Sequence, residues 1–162
     1  MRSFRSAACL ATLALATPAE AQLRPSPLGD IYESYNDCFK VAAQGGMKPE
    51  ELAPLGWSRA TISAQDGKKV SDGPSIHGHA NRKPLIMLSA EKGEGLCIVM
   101  ARLENAGAFE EFTKAWGGEL PQPDAEGTIS FSAEGHIVQL RKTGSLQEPS
   151  LSIAVMTPME SK

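Results

Sequence analysis

From Leu28 onward, apolar side chains return every three or four positions: Leu28, Ile31, Tyr32, Tyr35, Cys38, Phe39 and Ala42. That spacing predicts an amphipathic helix of about four turns. Ser26 supplies the N-cap, Pro27 fits the first helical position, and Gly45-Gly46 ends the element. Lys48 to Leu52 predicts a short second helix, with Pro49 near its start and Glu50 and Glu51 facing the positive end of its dipole. Trp57 to Ser63 alternates and predicts a first strand.

Gln65 to Arg82 is polar and has no clear period. It reads mainly as a long loop, with a short edge strand near Ser75 to His79. A loop of that length in a compact domain is unusual unless it carries function, which makes it the expected contact region.

Two apolar runs follow, Pro84 to Ala90 and Leu96 to Leu103, joined by the turn Glu91-Lys92-Gly93-Glu94-Gly95. They predict a hairpin. The second run is apolar on both faces, with Cys97, Val99, Ala101 and Leu103 on one and Leu96, Ile98 and Met100 on the other. Such a strand is expected to be central and covered on both sides. Asn105 is a suitable N-cap for a third helix, Ala106 to Trp116, whose core stripe is Phe109, Phe112 and Trp116. Thr128 to Ser132 and Ile137 to Lys142 form a second hairpin around Glu134-Gly135, and Leu151, Ile153 and Val155 mark the last strand. The order predicts an α+β fold: a mostly antiparallel sheet of about five to six strands, two N-terminal helices, and one helix inserted between the third and fourth strands.

The N-terminus changes the compartment. Arg2 and Arg5 precede the apolar run Ala7 to Ala16, Pro18 breaks it, and Ala19-Glu20-Ala21 places small residues where a signal peptidase reads them. Residues 1–21 are therefore expected to be a cleavable signal peptide, cut before Gln22, followed by one globular domain over residues 22–162. The apolar run is about ten residues, well short of the roughly 20 needed to span a bilayer. Cys9 does not read as a lipidation site, because Ser6 stands three positions upstream and the apolar run follows the cysteine. Loss of Arg2, Arg5 and Glu20 takes the net charge from −3 to −4. A mildly acidic chain without basic clusters is a poor partner for nucleic acid. No segment reads as a membrane span.

Cleavage would leave two cysteines, Cys38 on the apolar helix face and Cys97 on the inward side of a strand. An even count on two core-facing positions predicts one disulfide in an oxidising compartment, periplasmic or extracellular.

Candidate chemistry is sparse. His77-Gly78-His79 puts two imidazoles on one side of an extended segment, and with His136 they form the candidate metal ligands. Ser75, Ser71 and Asp72 near His77 suggest a hydrolytic group. Gly93-x-Gly95 does not open a helix after a strand, so it reads as a turn and not a phosphate loop. No catalytic or cofactor-binding residue is assigned, and no cofactor is expected beyond a metal ion. The leading expectation is a non-enzymatic exported module that binds an unknown protein or small-molecule partner in the cell envelope through residues 65–82. The alternatives are a metal-binding or hydrolytic protein using the three histidines, and an inhibitor-like protein acting through a sheet edge.

Overall fold

The computed structural model describes residues 23–61, 73–117 and 119–157. The predicted signal with its cleavage residues Ala19, Ala21 and Gln22, residues 65–72 of the predicted contact loop, and the tail beyond Thr157 lie outside the described residues.

Helix α1 spans Leu28–Val41. It starts one residue later than the sequence suggested: Pro27 occupies the N-cap position, and Ser26 makes no cap bond. Ser26 is instead buried and donates its backbone N–H to Arg102 O at 2.9 Å, which anchors the chain ahead of the helix to the sheet. The predicted second helix is a 3₁₀ helix, Pro49–Leu55. Pro54 within it has no N–H to donate, which disfavours a longer α-helical ladder. Helix α2, Ala108–Lys114, is shorter than predicted. Asn105 still serves its start, accepting the N–H of Gly107 on its side-chain oxygen at 2.9 Å.

Among the described residues, seven strands form one antiparallel sheet: β1 Trp57–Arg59, β2 Ser75–His79, β3 Leu85–Leu88, β4 Leu96–Arg102, β5 Thr128–Ala133, β6 His136–Gly144 and β7 Pro149–Met156, in the order β1-β2-β3-β4-β7-β6-β5. The count exceeds the predicted five to six because residues 75–79 are a full strand. It is not an edge strand: β2 pairs with β1 on one side and β3 on the other. The edges are the three-residue β1 and the six-residue β5. At the β5–β6 turn, Glu134 and Gly135 both have positive φ, 51° and 81°, the signature of a tight type I′ hairpin.

A helix and the meander β2-β3-β4 are followed by a second helix and the meander β5-β6-β7, and the last strands of the two meanders pair at the centre through Val99 and Ile153.

The helices lie on one side of this sheet. α1 sends Ile31, Tyr35, Cys38 and Val41 onto Cys97, Val99 and Ala101 of β4 and Leu151, Ile153 and Val155 of β7, all buried. The Cys38–Cys97 disulfide fixes that contact covalently, with a Cα–Cα separation of 5.5 Å. α2 joins the same side through aromatic packing. Tyr32 stacks on Phe112 at 4.4 Å between ring centroids and donates its hydroxyl to Phe112 O, while Trp116 bridges Tyr35 and Phe131 edge-on. Such pairs add about 0.5–1.5 kcal/mol each beyond their buried area. No helix among the described residues is long and apolar enough to cross a membrane.

Candidate functional site: the open face of the sheet

Strand alternation assigns every side chain to one of two faces. The bond to Cys38 places Cys97 on the helix-covered face, so Leu96, Ile98, Met100 and Arg102 stand on the other. The register extends that outer face in rows. One runs Ile76–Met87–Ile98–Ala154–Gln139, and the next runs Gly78–Leu85–Met100–Ser152–Arg141. Leu96 and Met156 pair beside them.

Neither α1, α2 nor the 3₁₀ helix covers this face, and its apolar side chains on β2, β3 and β4 are half-buried. Among the described elements, the expected cover of β4 is found on one side. β4 is central, but among the described elements only its Cys97 face is roofed.

The outer face is itself divided. Its β2, β3 and β4 portion is apolar apart from Arg102 at the end of β4, while its β5 and β6 portion carries Ser130, Ser132, Gln139, Arg141 and Thr143 together with the exposed Ile137. Along the boundary, on β4 and β7, lies a groove of about 350 Å³ lined by Leu23, Met87, Ile98, Met100, Thr143 and Ser152. Leu23 stands there because the chain ahead of α1 runs beside β4, bridged in parallel at Pro25 and Arg102. A second depression, about 280 Å³, continues past Leu23 and Ser150 to Arg102 and Glu148, whose side chains form an ion pair at 3.3 Å.

The histidines occupy different surroundings. His77 and His79 do share one side of β2, the covered one, but each ring is already engaged. Ser75 Oγ lies 3.1 Å from His77 Nε2. His79 accepts the backbone N–H groups of Asn81 and Arg82 on Nδ1, both at 3.1 Å, so its Nε2 carries the proton and donates to Leu55 O at 2.9 Å. His136 begins β6, with its ring nitrogens against the carbonyl oxygens of Glu134 and Ala42. Strands β3, β4 and β7 separate it from β2, on the order of 19 Å at the usual strand spacing. The structure does not bring the three together, and among the described residues no group of three or more His, Cys, Asp or Glu side chains is placed to hold a metal ion.

Ser75 and His77 do stand in the geometry of a nucleophile and its base. Burial, then the nearby Arg59 guanidinium, push the His77 imidazole below its ordinary pKa, against a smaller opposing pull from Glu91. Both side chains are nevertheless buried on the covered face. Their hydrogen bond satisfies two polar groups that burial would otherwise leave unpaired. Ser71 and Asp72, the remaining members of the predicted hydrolytic group, lie outside the described residues.

Sequence reasoning also missed a buried ionic cluster under the edge of the sheet. The Asp37 carboxylate, on α1, accepts the Trp57 indole N–H at 3.0 Å and Arg82 Nη1 at 2.7 Å. Arg82 also reaches Glu33 at 3.0 Å and lies over the Trp57 ring at 5.9 Å. Asp37 falls on the buried side of α1, among the core residues, and that position was the available signal. The cluster ties the segment after β2 to α1.

No family model, curated protein or solved structure matches this chain.

Proposed function

We propose that this protein is an exported, non-enzymatic binding module that holds an apolar partner on the outer face of its sheet. The observation that carries the reading is the uncovered side of β4 and its neighbours: Ile76, Leu85, Met87, Ile98 and Met100 are contiguous, half-buried and unroofed among the described elements. An antiparallel sheet that faces water normally presents polar residues there. Large contiguous apolar patches on soluble domains mark sites of interaction. Two of the residues are methionines, whose flexible thioethers adapt to varied apolar partners.

Export is supported by the signal-like N-terminus and by the disulfide, which persists in oxidising compartments. In this reading the binding surface is the sheet face, and the contact loop expected at residues 65–82 gives way to it. Within that range, residues 75–79 are built into the sheet as β2.

Nile red emission tests the proposal, because the dye is neutral and brightens on apolar surfaces. The native protein should raise its emission. Met100→Glu and Ile98→Lys should each abolish the rise while leaving the circular dichroism spectrum and melting temperature near wild type. No rise with the native protein, or an equal rise with both variants, would contradict the proposal.

A further inference from the structure

The outer face is amphipathic, and its charge has one sign. Among the side chains that the described strands place there, the charged ones are Arg102 and Arg141. This is notable in a chain whose net charge is −3. Arg102 is occupied by Glu148, which reaches over from the loop before β7. Arg141 is exposed and has no acidic partner among the described residues. It lies directly across from Ser152, which lines the groove and is paired in turn with Met100. The groove therefore has an apolar floor, and Arg141, with no acidic partner among the described residues, stands on β6 two residues from Thr143 of the groove lining.

We infer that this groove takes a single-chain anionic amphiphile, a fatty-acid-type carboxylate bound as a monomer, with its alkyl chain along Met87, Ile98 and Met100 and its carboxylate toward Arg141. The inference rests on the proposed role of the outer face and adds the ligand's chemistry. Three observations favour this occupant. The groove, at about 350 Å³, lies at the small end of the range for small-molecule sites, which suits a small ligand better than a folded partner. The apolar-to-polar boundary follows the groove, as an amphiphile requires. The guanidinium's planar fork matches a carboxylate.

Calorimetric titration with decanoate, decanol and decyltrimethylammonium, all below their micelle concentrations and in low salt, separates the components of this inference. Decanoate should bind about threefold to fivefold more tightly than decanol, the range of an exposed ion pair, and at least tenfold more tightly than the cation. The preference should shrink as salt is added. Arg141→Gln should bring decanoate down to the affinity of decanol, and Arg141→Lys should keep part of the preference. Met100→Glu should weaken all three ligands. Equal affinity for decanoate and decanol, both abolished by Met100→Glu, would overturn the ligand assignment and leave the face as a binding surface. Binding that Met100→Glu does not alter would overturn both. Tight association with anionic phospholipid vesicles and none with decanoate would overturn the monomeric ligand in favour of a membrane surface.

Discussion

Removing the disulfide should cost this protein a large share of its stability. The bridge joins residues 59 apart in sequence and closes the chain from the middle of α1 to the central strand β4. In the chain-entropy description a loop of that length contributes about 4 kcal/mol by restricting the unfolded state. Both sulfurs are fully buried at the α1–β4 contact, so their loss also removes packing. Domains of this size typically hold about 5–15 kcal/mol in total. A Cys38→Ala, Cys97→Ala double variant should therefore lose about 4 kcal/mol in guanidinium unfolding, with a melting temperature lower by roughly 10–20 °C. The denaturant slope should rise, because an uncrosslinked unfolded chain exposes more surface. The wild-type protein in reductant should shift in the same direction. A loss below about 1 kcal/mol, with an unchanged slope, would refute the reasoning and mean that noncovalent packing alone holds α1 on the sheet.

The ionic cluster and the buried Ser75–His77 pair make further expectations. Asp37→Ala strips the Trp57 N–H of its acceptor and leaves the Arg82 guanidinium only Glu33, so stability should fall by about 2–4 kcal/mol. Trp57 fluorescence should shift to longer wavelength in that variant, and an unaltered spectrum with an unaltered melting temperature would contradict the cluster's role. The His77 imidazole has its pKa lowered by burial and by Arg59, so the folded state favours the neutral ring. Its contribution is complete above the ordinary value of 6.5 and is lost as pH falls below it. Unfolding measured at neutral and mildly acidic pH should show a smaller acid loss in His77→Gln than in wild type, and equal losses would contradict the assignment.

Much of the scaffold was legible because burial imposes a period. The alternation of Cys97, Val99 and Ala101 with Leu96, Ile98 and Met100 identified β4 as central, and the helical spacing through Cys38 placed the second sulfur. β2 was harder to read, because Ser75, His77 and His79 are polar residues on the covered face and break the expected alternation. The metal reading used strand geometry correctly for His77 and His79 but had no information on strand order, which puts His136 four positions across the sheet. The binding face was visible only as an excess of apolar residues. Sequence cannot distinguish a strand roofed by its own helices from one that leaves a side open, because both demand the same side chains. The groove was not legible at all, since it depends on Leu23 returning beside β4.

Methyl resonances of the methionines offer the most direct test of where this protein binds. Met87 and Met100 line the groove on the outer face, while Met47 is buried and packs beside Gly95 as an internal control. In protein carrying labelled methionine methyl groups, added decanoate should move the Met87 and Met100 signals in a saturable way and leave Met47 in place. Saturation that leaves Met87 and Met100 unmoved, or no response from any methionine, would contradict the assignment of the outer face as the binding surface.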